Sequence, residues 1–443
     1  LRLVRGAEEG RRLLARQRGA LADVELPAAV RHEIRRVFGA DLDAQAVVER
    51  ILADVRDGGD AAVRRYNEAI DGVPPSVSLV VSREEIAAAG GKVDAEVMAA
   101  LRFAADRIRA FHEAQLRHAA VSFDEGPFGQ RVRPLERVGI YVPGTRAVYP
   151  SSVLMTAIPA RVAGVPELYM ATPAALDGSV SPLKLAAADI AGVDGVFRAG
   201  GAQGIAALAF GTESIPRVDK VCGPGNIFVT LAKKAVHGLV GIDGFFGPTE
   251  TVVVADAHAN PALCAADLLA QAEHDALASP ILITDSEALV QATLAEVESQ
   301  LATLERADIA RTALEAHGLA VIVASLEEAL ALANEYAPEH LCLELRDAAR
   351  WVERVANAGS VFVGGLSAEA IGDYTAGPSH VMPTGGSARF ASALGVHDFL
   401  KVTSIVSLDG EALAELGPLA AVIARAEGLT AHARAIERRL EGG

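Results

Sequence analysis

The chain has 443 residues, half of them apolar, and 57 acidic against 41 basic side chains give a net charge of −16. That excess argues against non-specific binding to nucleic acid and to anionic membrane surfaces, both of which repel an acidic protein. A chain this long buries roughly 70–75% of its unfolded surface, so folding needs no disulfide or metal staple. Its length implies about two to three domains.

Abundant alanine fits a helix-rich α/β protein. Cys222, Cys264 and Cys342 lie far apart and no CxxC occurs, which disfavours a thiolate zinc site and a disulfide framework. A reducing, cytoplasmic setting follows as the expectation. Leu1-Arg-Leu-Val-Arg5 lacks the apolar core of a signal peptide. No run of 18 apolar residues occurs, so no transmembrane helix is expected.

Residues 1–135 are expected to be mainly helical. Apolar spacing predicts a helix from Leu42 to Arg56, stopped at Gly58-Gly59, and a second over about 60–70. Ser82-Arg-Glu-Glu85 is a capping box that opens another. A long amphipathic helix follows from about Asp94 to His118, with His112 and His118 expected to face solvent.

The pattern changes at Val138-Gly-Ile-Tyr141-Val-Pro-Gly144, a short strand followed by a helix from about Ser152 to Ala163. A strand at Leu168–Ala171, a helix at about 182–191, a strand at Val196–Ala199 and a further helix come next. A strand ending at Cys222 leads through Gly223-Pro-Gly-Asn226 into a helix ending at His237. Such alternation implies a largely parallel sheet covered on both faces. The glycine turns put Tyr141, Gln203 and Asn226 at the carboxyl ends of strands, where open α/β sheets bind ligands. The fingerprints GxGxxG, GxxxxGK[ST] and GxSxG are all absent here. Ordinary turns use the same glycines, although a phosphate or dinucleotide could also lie against them.

A second alternation begins at Thr251–Asp256 and continues into a helix opening near Pro261, on which Asp267, Gln271 and His274 share one face at i, i+4 and i+7. Strands at Ile281–Thr284 and Val321–Ala324, a helix at about 326–336, Glu339-His340, a helix at about 347–358 and a strand from Val361 complete it. The glycine- and proline-rich stretch from Ile371 to Gly386 carries Asp373 and His380, and loops of this kind often carry function. Two helices close the chain, with Glu427 and His432 between them.

Glu339-His340 is a pair of general-base type, since imidazole titrates near neutrality and a carboxylate beside it raises its basicity. Asp373, His380, Glu427 and His432 lie where no structural task is evident, yet residues of these types also serve as surface or capping groups. The residues alone do not select a reaction. The chain resembles the histidinol dehydrogenase family, zinc- and NAD-dependent enzymes of the last two steps of histidine biosynthesis. The resemblance rests on seven blocks in order. They are GIYVPG at 139–144, GGAQGIAALAFGTESIPRVDKVCGPGN at 200–226, GPTE at 247–250, QAEHD at 271–275, YAPEHL at 336–341, IGDYTAGPSHVMPTGG at 371–386 and EGLTAH at 427–432.

The resemblance implies two incomplete Rossmann-like α/β domains with a helical N-terminal region and a C-terminal helical tail. Its expected division is an N-terminal helical arm at 1–40, a first α/β domain at 41–140 and 249–394, a second, NAD-contacting domain at 141–248, and a tail at 395–443. It implies that Gln271, His274, Asp373 and His432 hold one zinc ion per subunit, an unusual set because zinc seldom takes an amide. His340 is implied as general base with Glu339 as its partner, and Tyr141, Gln203 and Asn226 as NAD contacts. Thr249, Gln271, His274, His340, Asp373, His380, Glu427 and His432 are implied as L-histidinol contacts. Thr249 stands where members often have serine, which keeps the hydroxyl and adds a methyl group. The resemblance further implies a homodimer in which the tail carries Glu427 and His432 into the partner's site. A related dehydrogenase with another hydroxyl substrate, a zinc hydrolase and a non-catalytic scaffold are the rival readings. The GPSHVMPTGG loop with Glu427, the amide ligand with the three NAD-contact turns, and the Glu339-His340 pair disfavour them in turn.

Overall fold

The computed structural model describes residues 1–15, 26–144 and 148–442. In chain order its strands are β1 (Arg2–Arg5), β2 (Val80–Val81), β3 (Phe123–Glu125), β4 (Phe128–Pro134) and β5 (Arg137–Tyr141). Then come β6 (Glu167–Thr172), β7 (Gly195–Arg198), β8 (Lys220–Cys222), β9 (Gly241–Ile242) and β10 (Glu250–Ala255). The last are β11 (Ser279–Thr284), β12 (Leu319–Ile322), β13 (His340–Glu344), β14 (Ser360–Val363) and β15 (Leu400–Val406).

They form three sheets. One is parallel throughout, in the order β1-β12-β11-β10-β13-β14. The second, β2-β7-β6-β5-β8-β9, is parallel except for β2, which runs antiparallel to β7. The third is a small antiparallel sheet, β15-β4-β3. The two large sheets share one winding. A central strand (β10 or β5) is followed by two strands stepping to one side and then two on the other, the doubly wound order. Each chain reversal leaves a crevice at the carboxyl ends, between β5 and β8 in one sheet and between β10 and β13 in the other. Helices cover both faces, so β10 and β13 are buried at every residue. That is why β10 reads as the continuous run Glu-Thr-Val-Val-Val-Ala rather than as an alternation.

Many expected boundaries agree with the structure. Helix Pro182–Ala191 starts on a proline and ends at left-handed Gly192, the punctuation of a well-defined helix. The break expected at Gly58-Gly59 appears as a kink inside helix Ala44–Tyr66, where Gly59 has φ 52°. Ser82 caps helix Arg83–Ala89 by accepting from the Glu85 amide at 3.1 Å.

The packing groups the chain differently from the expected division. Helix Ala44–Tyr66 packs on helices Gly201–Phe210 and Ile227–Val236, and helix Ala95–Arg117 on helix Pro150–Val162. Residues 41–140 therefore cover the sheet centred on β5, not the one centred on β10. The described part of the expected N-terminal arm is no detached helix either: β1 pairs with β12 and helix Ala7–Leu14 packs on helix Leu326–Tyr336. An amphipathic pattern shows which face of a helix is apolar, but not which sheet that face covers. His112 also departs from expectation. It is fully buried, its Nδ1 2.8 Å from the Ile108 carbonyl, and burial lowers its pKa. No helix among the described residues is long and apolar enough to cross a membrane.

Candidate active site

The amino ends of the β10-centred sheet gather the chemistry. Helix Leu326–Tyr336 ends at Ala337, the sole non-glycine residue with positive φ (54°) among the described residues. This left-handed turn, strained for a side chain with Cβ, leads directly to Glu339 and into β13 at His340. At the start of neighbouring β10, the hydroxyl of Thr249, the residue before the strand, donates to Glu339 Oε2 at 2.6 Å and the Glu250 amide donates to the same oxygen at 3.1 Å.

His340 is 3% exposed and is held from several sides. Its Nδ1 lies 2.8 Å from the Gln271 amide nitrogen and 3.2 Å from the Glu250 carbonyl. Its Nε2 is 3.5 Å from Asp373 Oδ1, and its ring stacks on Phe362 with centroids 5.8 Å apart. Gln271 stands near the end of helix Pro261–Ala272, whereas His274 lies just past that end rather than on it. Asp373 sits on the short helix Glu369–Tyr374. Its backbone carbonyl is 2.9 Å from His380 Nδ1, and His380 Nε2 is 3.1 Å from Ser152 Oγ. Ser152 is in the first turn of helix Pro150–Val162, which follows β5. The loop from 371 to 386 thus ties the amino edge of one large sheet to the carboxyl edge of the other. A cavity of about 500 Å³ borders this junction at Phe362, Gly372, His380 and Met382.

Beneath His340 lies Glu369, 2% exposed, accepting from the Thr251 hydroxyl at 2.6 Å and from the Cys342 thiol at 3.7 Å. Sequence reasoning missed it. The available signal was a single carboxylate in the otherwise small, apolar run Ala368-Glu369-Ala370-Ile371. Asp267, on the same helix as Gln271, is buried as well. Burial pushes Glu339, Glu369 and Asp267 each up to about 7. Burial pulls His340 down, but the carboxylates of Glu369, Asp373 and Glu339 outweigh it and raise the basicity of the imidazole above its ordinary value. Burial opposes ionisation of Asp373, yet the hydrogen bond and charge of His340 hold it below the usual carboxylate range. Several buried carboxyl groups thus converge on one imidazole, a pocket whose acidic side chains outnumber its basic ones.

That imbalance fits a cation. Gln271, His274 and Asp373 surround His340 with amide, imidazole and carboxylate groups, and nitrogen and oxygen donors suit zinc. Among the described residues, no group of three or more His, Cys, Asp and Glu side chains is arranged to hold a metal. Of the four candidate donors, Gln271 is an amide and His432 lies elsewhere. His432 and Glu427 are both exposed, at the junction of helices Gly410–Ala426 and Thr430–Glu441, which pack chiefly on each other. No hydrogen bond or ion pair among the described residues joins either side chain to Asp373 or His340.

The three candidate cofactor residues gather at the carboxyl ends of the β5-centred sheet. The buried Tyr141 hydroxyl accepts from the Gly201 amide at 2.9 Å, and burial pushes the phenol pKa well up. Gln203 donates to Asp71 at 3.3 Å and Asn67 at 3.4 Å, and burial raises Asp71 to about 6. Asn226 caps helix Ile227–Val236, accepting from the Phe228 and Val229 amides at 3.1 and 3.2 Å. Its side chain therefore has a structural task too. Gly223 shows how closely the turns approach: with φ 113°, a Cβ there would stand 2.1 Å from the Tyr141 carbonyl oxygen. Sequence reasoning also missed Asp71 and Lys184. The latter is buried, with its ammonium 2.9 Å from the Gly144 carbonyl and 3.0 Å from the Thr172 hydroxyl.

Residues 35–440 match the family model described as histidinol dehydrogenase. The chain belongs to the histidinol dehydrogenase family. A histidinol dehydrogenase from Dehalococcoides mccartyi (strain CBDB1) is 49% identical over 441 residues, covering 100% of both chains. One from Deinococcus radiodurans is 50% identical over 444 residues, again covering 100% of both. The crystal structure of histidinol dehydrogenase from Elizabethkingia anophelis superposes with a TM-score of 0.90 at 34% identity, covering 100% of this chain and 98% of that one. Members of this family are NAD-dependent oxidoreductases that catalyse the final steps of histidine biosynthesis.

Proposed function

We propose that the chain oxidises L-histidinol to L-histidine in two NAD-dependent steps at the junction of the two large sheets. The convergence of Gln271, Asp373 and Glu339 on buried His340 carries this reading. In the first step His340 takes the hydroxyl proton as a hydride leaves the carbinol carbon for NAD, giving the aldehyde. Water then adds to the aldehyde, with Glu339 accepting its proton from a position fixed by Thr249 and the Glu250 amide. The hydrate loses a second hydride to a fresh NAD. The sum is L-histidinol, two NAD⁺ and one water giving L-histidine, two NADH and three protons.

Gln271, His274 and Asp373, with His432 as fourth, would hold a zinc ion that fixes the imidazole and amine of the substrate. His380, joined to Asp373, and Glu427 would complete the substrate contacts. The carboxyl-end crevice beside Tyr141, Gln203 and Asn226 would take NAD, with Gly223 letting the turn after β8 close against Tyr141. His432 and Glu427 would come from the tail of a second subunit. The support is the apolar face that helix Gly410–Ala426 leaves open, with Leu419, Val422 and Ile423 exposed by 69%, 65% and 60%. A cytoplasmic setting suits the three free cysteines.

The experiment is NADH formed per L-histidinol consumed, with zinc-loaded and chelator-treated protein. The expected result is two NADH, lost on chelation and restored by zinc. One NADH would restrict the enzyme to the alcohol step, and none would send the assignment to a different substrate.

A further inference from the structure

The two large sheets share a winding, so each has a crevice at its reversal point. The crevice between β5 and β8 lies at the proposed NAD site. The one between β10 and β13 has no task in the proposed reaction, because Thr249, Glu339 and His340 lie at the opposite ends of those strands. Strands of five or six residues put the two ends roughly 15–20 Å apart. A cavity of about 550 Å³ opens at this second crevice, lined by Asp256, Asp285, Arg346, Arg350, Trp351 and Arg354 among others. That volume is within the range of small-molecule sites.

Each wall has a distinct character. Asp256 is committed to the fold: its carboxylate accepts from the His258 and Arg346 amides, both at 2.8 Å, fixing the turns on either side of the reversal. Asp285 directly follows β11, the second strand of the winding. In doubly wound nucleotide-binding folds this is where an acidic side chain takes the ribose hydroxyls. Its carboxylate, like the Arg346 guanidinium, makes no hydrogen bond or ion pair with a described residue. Arg350 is held only by an exposed pair with Asp347 at 3.9 Å. The Arg354 guanidinium lies 4.7 Å over the Trp351 ring, making a flat, polarisable wall. The turn after β10, Asp256-Ala-His-Ala-Asn260-Pro261, contains no glycine. A pyrophosphate therefore cannot lie against the backbone there as in a dinucleotide site. Arginine side chains suit a single phosphate instead.

We propose that this second crevice binds a nucleoside monophosphate, with ribose on Asp285, phosphate on Arg346 and Arg350, and the base against the Arg354–Trp351 wall. It does not rest on the reaction proposed above. Trp351 is the single tryptophan of the chain, so intrinsic fluorescence reports on this cavity directly. Full-length protein is titrated with AMP, adenosine and inorganic phosphate, exciting beyond the adenine band, with calorimetry on the same samples to register binding that leaves emission unchanged. AMP is expected to bind saturably and at least tenfold more tightly than adenosine or phosphate. Arg346→Ala and Asp285→Asn, both at exposed positions, are each expected to weaken AMP about tenfold with melting temperature unchanged. No saturable signal by either method up to millimolar AMP would overturn the proposal. So would unchanged affinity in both variants, and phosphate binding as tightly as AMP would reduce the site to a simple anion pocket.

Discussion

The β5-centred and β10-centred sheets have the same strand order and use opposite edges. The first offers its carboxyl ends, with the glycine turns at Gly200-Gly201 and Gly223-Pro-Gly225, to the junction. The second offers its amino ends, where Glu339 opens the way into β13 and Thr249 into β10. The difference lies in how each edge can be armed. Carboxyl ends run into helix N-termini, whose amides and dipole favour an anionic cofactor. Amino ends receive helix C-termini and loops, which here bring Gln271, His274 and Asp373 beside His340. On the proposed reading, one winding used at opposite ends would supply a cofactor edge and a chemical edge.

In the proposed reaction proton transfer belongs to the β10-centred sheet alone, and His340→Ala tests this most strongly. Turnover is expected to fall by about 10³-fold or more with zinc content intact by elemental analysis. Loss of zinc with turnover would show that His340 supports the metal rather than the base chemistry. The next test asks whether the tail completes the partner's site. His340→Ala and His432→Ala subunits, each inactive alone, are unfolded together and refolded as a mixture. With equal mixing, half the dimers are mixed and one site in two of each mixed dimer is intact, so about a quarter of wild-type activity should return, as expected for a symmetric dimer. No recovery, with mixed dimers shown by mass spectrometry, would place both residues in one subunit's site.

Glu339→Gln makes a smaller and more selective change. Supplied with L-histidinal, the variant should be slowed about tenfold or more relative to its rate on L-histidinol, because water is activated only in the second half. Equal slowing of both halves would make Glu339 a support for His340 instead. The smallest effect belongs to the cofactor edge. Burial raises Asp71 from 3.8 to about 6, so the native state binds its proton more tightly than the unfolded chain. The penalty for ionising it in the fold is complete above about pH 6 and vanishes below 3.8. Asp71→Asn is therefore expected to raise the melting temperature at pH 7.5 and to leave it nearly unchanged near pH 3.8. The same shift at both pH values would assign the change to packing rather than to charge.

The sequence made the two windings legible because their punctuation is local. Helices at 182–191 and 326–336 were bounded by Pro182, Gly192 and Ser325, and strands such as β6 and β11 were continuous apolar runs between turns. The third sheet was not legible, since β15 exposes nearly every residue and so shows no alternation to read. Nor were helices Glu287–Leu301 and Ala307–Ala316 anticipated. In the site, the blocks carrying Gln271, Asp373 and Glu339-His340 were visible as motifs. Glu369 was not, because its importance comes from lying under His340, a contact between β13 and a helix that no local pattern encodes. The grouping of residues 41–140 escaped for the same reason: long-range partners are chosen by packing, which a single sequence does not display.

The pairing of β1 with β12 has a consequence for how the molecule is made. Arg2 to Arg5 align with Leu319 to Ile322, so during synthesis this strand waits for a partner encoded more than three hundred codons later. The β5-centred sheet closes once Ile242 has emerged, well before that. Synthesis at about 5–20 residues per second leaves an interval in which one half is folded and the opening strand is still unpaired. The nascent chain thus carries an unpaired strand through much of its own translation.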